Sequence, residues 1–420
     1  MNEHFTNMRD LNASLAEALN MISPDIEHHH QQTAYMAYMI ASAAGFDERM
    51  LELTRMAALS HDIGFVTMEN PQSVEELERD AEKIAEIGAN LLEGFPDSEA
   101  VAGIVRFCQS SWEDYLSMAE TSDEACRDCA RIASVVHLAD AVSTSVRNDV
   151  PVLNQIKTIS EAVKSVRGRE FSEEAVDAFL RAGENEFVWM DLRYNPQFLS
   201  YFLGEPEPVS LDRAVGLTVI MSRIIDYRSS FTAMHSAGVA ASAVELAGLA
   251  GMSEDECKMM KIAGHMHDIG KLKVPRAILE KPGRLTDEEF NIIKEHPYYT
   301  RLNTMNMEGF ERISWWAGLH HEKLNGKGYP FHVGASDLDT GSRIMAVADI
   351  FSAVTEERPY RKGMDRKAAM EVLTDNVHSG GIDGDLVALL EDNYETIDAA
   401  REEASRTEGA RYFRSISKTQ

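Results

Sequence analysis

The chain has 420 residues, of which 44% are hydrophobic and 26% charged, a composition typical of a globular protein with two or three domains. Its 41 basic and 69 acidic side chains give a formal net charge of -28. This charge argues against DNA and against an anionic membrane as partners, because both bind through an excess of Lys and Arg. The acidic excess is uneven, since residues 1–203 carry 15 basic and 35 acidic side chains and residues 204–420 carry 26 and 34. An anionic ligand is therefore expected in the second half.

Cysteine is rare, and the first residues resemble no export signal. Four cysteines in 420 residues suit a reducing cytoplasm better than a disulfide scaffold. Cys126 and Cys129 are expected to pack on one helix face rather than to bind zinc. The first ten residues have neither the basic start nor the apolar run of a signal peptide, and the apolar stretch 34–45 is too short to span a bilayer. These features predict a soluble, cytoplasmic protein.

Helical periodicity runs through almost the whole chain. No segment alternates apolar and polar residues for long enough to form a sheet. The sequence Gly-Glu-Pro-Glu-Pro at 204–208 cannot continue a helix. We therefore predict an all-α fold of two helical bundles, with domains at 1–203 and 213–420 and a linker at 204–212. Capping boxes that open amphipathic helices pair Ser73 with Glu76, Ser253 with Glu256 and Thr286 with Glu289.

The two halves carry the same landmarks in the same order. A histidine precedes a His-Asp pair by 32 positions in each half, and an Ala-Asp pair follows about 80 positions later. This order predicts that the chain arose by duplication of one unit. The matched residues are His29, His61, Asp62 and Asp140 in the first half and His235, His267, Asp268 and Asp349 in the second.

The second half adds further groups that could bind metal ions. The segment from His267 through Asp268 to Lys271 places an imidazole, a carboxylate and an ammonium within about one helical turn. His320 and His321 are adjacent, so on a helix their side chains point about 100° apart. Such a pair suits two neighbouring metal ions better than one.

This series of motifs resembles the HD-GYP domain, a branch of the HD superfamily whose members are phosphodiesterases for cyclic dinucleotides. The resemblance covers about 130 residues and includes the Gly-Tyr-Pro tripeptide that names the family. The motifs are His235-Ser236, His267-Asp268-Ile269-Gly270-Lys271, Pro275, Ile278-Leu279, Lys281-Pro282-Gly283, Leu285-Thr286, His296, His320-His321-Glu322, Gly326, Gly328-Tyr329-Pro330, Arg343-Ile344, Val347-Ala348-Asp349 and Arg358-Pro359-Tyr360-Arg361.

The resemblance implies two divalent transition metal ions. If the Asp268 carboxylate bridges, four protein bonds are available to each ion. Mixed imidazole and carboxylate ligation without thiolate favours iron or manganese over structural zinc. Phe231 stands where some family members place an acidic ligand for a third metal, so a binuclear site is expected. The implied ligands are His235, His267, Asp268, His296, His320, His321 and Asp349.

The resemblance also implies a mechanism. A hydroxide bridging the two metals would attack the phosphorus, with Asp268 as the bridging ligand and Lys271 stabilising charge on the phosphate oxygens. Arg358 and Arg361 match basic residues that approach the substrate phosphates in the family. Tyr329 either stacks on a guanine or anchors its loop, and loop anchoring is favoured.

The first half is expected to be a degenerate, regulatory HD-like domain. It keeps His29, His61, Asp62 and Asp140, a pattern that could hold one metal ion at most. It has Phe65 where the second half has Lys271. No histidine lies between His61 and His137 to replace His296.

The leading functional hypothesis is hydrolysis of cyclic di-GMP to linear pGpG, with further cleavage to GMP left open, in bacterial signalling. A phosphodiesterase for 3',3'-cyclic GMP-AMP is an alternative, because no residue clearly distinguishes guanine from adenine. A catalytically inactive cyclic dinucleotide receptor is another alternative. A hydrolase of mononucleotides or alarmones needs only the four-residue pattern, so the additional histidines count against it. A homodimer is a further expectation.

Overall fold

The chain folds almost entirely into α-helices in the computed structural model. The structure describes residues 4–22, 28–67, 81–93, 98–118, 124–194, 207–228, 234–357 and 362–417. In these ranges the only paired strands are β1 (Thr6–Asn7) and β2 (Pro208–Val209), which lie antiparallel with Thr6 opposite Val209. The predicted all-α fold is confirmed. Among the described residues, every helix is too short or too polar to cross a membrane.

The chain divides into two compact units. Leu11–Glu207 forms the first, and Met1–Asp10 joins Pro208–Lys418 in the second. The pairing of β1 with β2 places the first ten residues in the second unit, a grouping that the sequence did not indicate. Residues 204–206 of the predicted linker lie outside the described residues.

Helices of the first half follow one another through short connections. Those described are α1 (Met8–Asn20), α2 (His29–Ala44), α3 (Glu48–Ser60), α4 (Ala81–Leu92), α5 (Ser98–Phe107), α6 (Trp112–Met118), α7 (Glu124–Ser145), α8 (Ile156–Ser165), α9 (Glu173–Ala182) and α10 (Glu186–Tyr194).

The core of the first unit surrounds α2. This helix packs against α3, α7 and α9, and its buried face includes Tyr35, which is fully inaccessible to solvent. The fully buried rings of Phe65, Phe179 and Trp189 complete the core. Burial of such aromatic side chains is the main source of stability in a bundle of this kind. Because His29 begins α2, this packing fixes the position of a predicted metal ligand.

Helices of the second unit continue the series. Those described are α11 (Leu211–Arg228), α12 (His235–Leu249), α13 (Glu254–Met266), α14 (Arg276–Leu279), α15 (Asp287–Ile293), α16 (His296–Thr304), α17 (Glu311–Gly318), α18 (Thr340–Thr355), α19 (Arg366–His378), α20 (Gly384–Asp392) and α21 (Tyr394–Ser417).

The central helix of the second unit is α12, which packs against α13, α18 and α21. Two of the predicted capping boxes are present in full, at Ser253 with Glu256 and at Thr286 with Glu289. They begin α13 and α15 and thereby fix where each helix starts. The third predicted box, at Ser73, lies outside the described residues.

Candidate metal centre

The second unit brings its seven predicted metal ligands together, and most of them stand at helix ends. A helix end leaves its last carbonyl groups without partners inside the helix, so polar side chains just beyond it find acceptors. The list is as follows: His235 begins α12, His267 and Asp268 follow α13, His296 begins α16, His320 and His321 follow α17, and Asp349 lies within α18.

Backbone carbonyl groups fix the orientation of three of these imidazoles. In His267, His296 and His320, the Nδ1 atom lies 2.6 to 2.7 Å from the carbonyl oxygen three residues earlier in the chain. A carbonyl oxygen can only accept a hydrogen bond, so Nδ1 donates and therefore carries a hydrogen. In the neutral ring the lone pair then lies on Nε2, which is the atom that a metal would contact.

His235, His267 and Asp268 form the first ligand group, with one donor atom from each lying within 4.8 Å of the other two. Asp349 adjoins them, since its Oδ1 atom lies 3.2 Å from Nε2 of His235 and 3.9 Å from Nε2 of His267. The sequence did not single out Glu356, whose Oε2 atom lies 3.4 Å from Nδ1 of His235. All five residues are buried. Two imidazoles and two carboxylates thus converge, and Glu356 orients the ring of His235.

His296, His320 and His321 form the second ligand group, again with donor atoms within 4.8 Å of one another. The Nε2 atoms of His296 and His320 lie 3.2 Å apart. His321 is more accessible, with 27% of its side chain exposed, and its Nδ1 atom lies 3.7 Å from Oδ2 of Asp349. The adjacent pair His320 and His321 therefore contributes to one group, although only His320 is held by a helix-end carbonyl.

The Asp268 carboxylate faces both groups. Its Oδ1 atom lies 3.3 Å from Nε2 of His296, and its Oδ2 atom lies 3.3 Å from Nε2 of His267. Among the described residues, neither Oδ1 of Asp268 nor Nε2 of His267 has a hydrogen-bond partner of good geometry, although both atoms are buried. Buried polar atoms normally have partners. Unpartnered atoms that converge from two sides are what a pair of cations would satisfy, so these residues fit the two ions that the sequence predicts.

The charge states of the histidines differ between the two groups. Burial lowers the pKa of His296 and His320 well below the usual value, and it lowers the pKa of His321 to about 4. These three imidazoles are therefore neutral at pH 7, the form that binds metals. In His235 burial acts in the same direction, but the carboxylates of Asp349 and Glu356 outweigh it and raise the pKa to about 10. A metal in the first group must displace that proton.

Lys271 lies beside the carboxylate that faces both groups. Its Nζ atom donates a hydrogen bond to Oδ2 of Asp268 at 2.6 Å, and 20% of its side chain is exposed. Burial disfavours the charged form of Asp268, yet the charges of His267 and Lys271 hold its pKa well below the usual range. The ammonium group therefore keeps the carboxylate ionised and adds positive charge at the ligand groups. Phe231, Arg358 and Arg361 lie outside the described residues.

The Gly-Tyr-Pro loop is tied to the histidine pair. The backbone N–H of Tyr329 donates to the carbonyl of His321 at 3.3 Å, and the two rings lie with centroids 4.9 Å apart. The buried carboxylate of Glu322 accepts the backbone N–H groups of Phe331 at 2.6 Å and of His332 at 3.1 Å. Glu322 thus anchors the loop from the position next to the ligands, a role that the sequence did not assign.

The first unit also gathers its four predicted residues. The Nε2 atoms of His29 and His61 lie 3.3 Å apart, with Oδ1 of Asp140 3.2 Å from the former and Oδ2 of Asp62 3.1 Å from the latter. His61 donates from Nδ1 to the carbonyl of Ala58 at 2.7 Å, as the equivalent histidine of the second unit does. Although burial opposes ionisation, the charge of His61 lowers the pKa of both carboxyl groups. The cluster could hold one ion.

Glycine contacts identify the residue of the first unit that stands in place of His296. In the second unit a Cβ atom on Gly270 would collide with the backbone at His296, so only glycine permits this approach of α16. In the first unit a Cβ atom on Gly64 would collide with the backbone at Ile84 in the same way. Ile84 therefore occupies the position of His296, and its apolar side chain cannot bind a metal.

The histidine pair is replaced as well. Cys108 lies 24 positions after Ile84, just as His320 lies 24 positions after His296. The Cys108 thiol donates to the carbonyl three residues earlier at 3.0 Å, the bond that His320 makes in its unit. Gln109 then donates to Oδ2 of Asp140 at 3.2 Å. In the described residues, the first unit thus has no counterpart of the second ligand group.

Comparison with known proteins agrees with this duplicated geometry. A family model described as an HD domain matches residues 219–386, and a second HD domain model matches residues 26–145. The protein belongs to the HD superfamily. This tandem HD protein carries one HD domain in each half, as the sequence predicted, and its second half has the HD-GYP pattern.

Relatives of the tandem HD protein include two with assigned substrates. It is 27% identical over 398 residues to the 3'3'-cGAMP-specific phosphodiesterase 1 of Vibrio cholerae, which covers 91% of each chain. It is 36% identical over 141 residues to a cyclic di-GMP phosphodiesterase of Pseudomonas aeruginosa, which covers 33% of this chain and 34% of the relative. A crystal structure of a V. cholerae cyclic GMP-AMP specific phosphodiesterase matches 94% of this chain and 97% of that one, with a TM-score of 0.59 and 22% identity. The structural match supports the same fold.

Proposed function

We propose that the second HD domain is a metal-dependent phosphodiesterase that hydrolyses cyclic dinucleotides. The observation that carries the proposal is the Asp268 carboxylate, whose two oxygens face two separate ligand groups at 3.3 Å each. Paired metal sites of this kind serve phosphoryl-group hydrolysis. The relatives named above, which act on cyclic dinucleotides, support the substrate class.

Each ligand group would hold one divalent ion, with Asp268 shared between them. Imidazole and carboxylate donors without thiolate suit iron or manganese. Bound ions would supply Lewis-acid polarisation of the phosphate and an activated water. The first ion would take His235, His267, Asp268 and Asp349, and the second would take Asp268, His296, His320 and His321.

Lys271 would provide the charge that the chain itself brings to the phosphate. In so acidic a protein, its ammonium group beside Asp268 offsets the charge of that carboxylate and attracts an anionic substrate. Tyr329 borders the ligand group at His321, so a substrate on the metals would meet its ring. Arg358 and Arg361 stay proposed phosphate-binding residues.

The proposed reaction opens cyclic di-GMP to linear pGpG, with further cleavage to GMP left open. Hydrolysis of 3',3'-cyclic GMP-AMP is the second candidate, and a specific observation favours it. The relative that matches over 91% of both chains is named for that substrate, whereas the cyclic di-GMP phosphodiesterase matches over about a third. A cytoplasmic location and a homodimer stay predictions.

Product analysis on both dinucleotides tests the proposal. The full chain, loaded separately with Mn²⁺ and Fe²⁺, is incubated with each dinucleotide, and the products are separated by ion-exchange chromatography. We expect a linear dinucleotide from at least one substrate, and none after chelation of the metals. A folded, metal-loaded protein that binds either dinucleotide and cleaves neither is a receptor, and that outcome would overturn the proposal.

A further inference from the structure

A cavity of about 890 Å³ lies beside the Gly-Tyr-Pro loop of the second unit. One wall comes from α15 and the start of α16, and the other comes from residues 327–332. Four aromatic rings face it, from Phe290 and Tyr298 on the helices and from Tyr329 and Phe331 on the loop. The volume falls in the range of small-molecule binding sites.

The rings are spaced as two pairs, each with one ring on either wall. The centroids of Phe290 and Tyr329 lie 6.0 Å apart with ring planes at 79°, and those of Tyr298 and Phe331 lie 6.2 Å apart at 38°. Phe290 is 43% exposed and Tyr298 is 49% exposed. Large aromatic side chains clustered in an open cavity present flat faces on which a planar ligand can stack.

The cavity is continuous with the metal-ligand groups. Tyr329 lines the cavity and also contacts the ring of the proposed ligand His321. Glu295, another lining residue, directly precedes His296 in the chain. A molecule whose phosphate lies at the ligand groups would therefore place a neighbouring part in this cavity.

The cavity also carries charge suited to a nucleotide. Lys294 and Lys327 line it with Glu295 as the single carboxylate, a local positive balance in a chain of net charge -28. A carboxylate can accept hydrogen bonds from both N1–H and the 2-amino group of guanine, and adenine has no such pair of neighbouring donors. The aromatic faces therefore suit a purine, and Glu295 suits guanine.

We propose that this cavity binds one guanine base of the cyclic dinucleotide, stacked on the four rings and recognised at its edge by Glu295. The inference rests on the proposed phosphodiesterase function and assigns specificity-determining residues to it. Guanine occurs in both cyclic di-GMP and 3',3'-cyclic GMP-AMP, so both are accepted. Cyclic di-AMP, which lacks guanine, is a poor substrate.

Steady-state kinetics of the full-length metal-loaded protein test the stacking surface. Phe290→Ala and Tyr298→Ala remove exposed side chains, and stacking of a base on an aromatic ring contributes about 1 to 3 kcal/mol. We expect kcat/KM for the guanine dinucleotides to fall roughly tenfold or more in each variant, mainly through KM. The loss for bis(p-nitrophenyl) phosphate, which has no purine, is expected to be at least tenfold smaller. Phe187→Ala, which removes a comparably exposed ring of the first half, is the matched control.

Base recognition is tested with Glu295→Gln, which replaces one acceptor oxygen with a donor. We expect the ratio of kcat/KM for cyclic di-GMP over cyclic di-AMP to fall at least tenfold. Unchanged kinetics in all three variants, in a protein whose wild type cleaves guanine dinucleotides, would overturn the inference and leave the proposed function intact. If the wild type cleaves bis(p-nitrophenyl) phosphate and no dinucleotide, the proposed function itself fails.

Discussion

The Nε2 atom of His296 lies 3.2 Å from the Nε2 atom of His320, and neither nitrogen can donate to the other. Each ring already donates through Nδ1 to a backbone carbonyl, and burial keeps each imidazole neutral at pH 7. Two lone pairs that face each other repel, unless a cation lies between them. The relationship is therefore unfavourable in the metal-free protein and favourable once an ion is bound.

Removing Asp268 should release both ions. Its two oxygens face different ligand groups, so Asp268→Ala deprives each group of one donor. His296→Ala deprives only the second group and should leave about one ion per second domain. Metal content by plasma mass spectrometry measures this in a His61→Ala, Asp62→Ala background that removes the cluster of the first unit. His378→Ala, at an exposed histidine, is the control. About one ion retained by Asp268→Ala, or three bound by the background protein, would contradict the binuclear account.

The two ions should respond differently to pH. His235 has a pKa of about 10, so an ion in the first group displaces a proton at every pH below that value, and its affinity should fall about tenfold per unit as the pH decreases from 9 to 6. His321 has a pKa of about 4, and His296 and His320 are also neutral, so affinity in the second group should change little over this range. Mn²⁺ titration calorimetry of His296→Ala and of His235→Ala isolates the two groups. Equal pH dependence in the two variants would show that the charge states are misassigned.

Lys271→Ala should keep both ions and lose most of the turnover. The ammonium group is proposed to stabilise charge on the phosphate, and removal of one such donor costs roughly 10²- to 10³-fold in kcat. Lys273→Ala, two positions later and exposed, should stay within about twofold of the wild type. The readouts are metal content and kcat. If Lys271→Ala instead loses its metals, the lysine acts only by keeping Asp268 ionised.

Glu322 should hold the Gly-Tyr-Pro loop in place. Its buried carboxylate accepts two backbone hydrogen bonds, and hydrogen bonds to a charged group contribute about 1.5 to 3 kcal/mol each. Glu322→Ala should therefore lower the free energy of unfolding by about 2 kcal/mol or more and reduce kcat/KM. Glu322→Gln keeps one acceptor oxygen and should lose less in urea denaturation. Equal stability of the alanine variant and the wild type would mean that the loop is held by other contacts.

The sequence predicted the helical class and the residues that gather in each unit, because spacing along a helix determines which side chains share a face. The 32-position interval was enough to relate His29 with His61 and His235 with His267. Ligand orientation could not be predicted, because it depends on helix-end carbonyls whose positions only the fold defines.

The replacement of His296 by Ile84 also needed the structure. His296 lies 26 positions after Gly270, whereas Ile84 lies 20 positions after Gly64. No fixed offset could therefore align the two halves across this interval. The close approach of each glycine to the next helix supplied the correspondence. Glu356 and Glu322 were missed for a related reason, since each acts through a contact that its place in the sequence does not indicate.

The central claim is that hydrolysis belongs to the second HD domain alone. The most direct measurement compares two double variants of the full chain for dinucleotide cleavage, after circular dichroism has shown that each is folded. We expect His61→Ala with Asp62→Ala to retain hydrolysis, because the first unit has Ile84, Cys108 and Gln109 where a second ligand group would stand. We expect His267→Ala with Asp268→Ala to abolish it. Loss of activity in the first variant, together with activity retained in the second, would contradict the account.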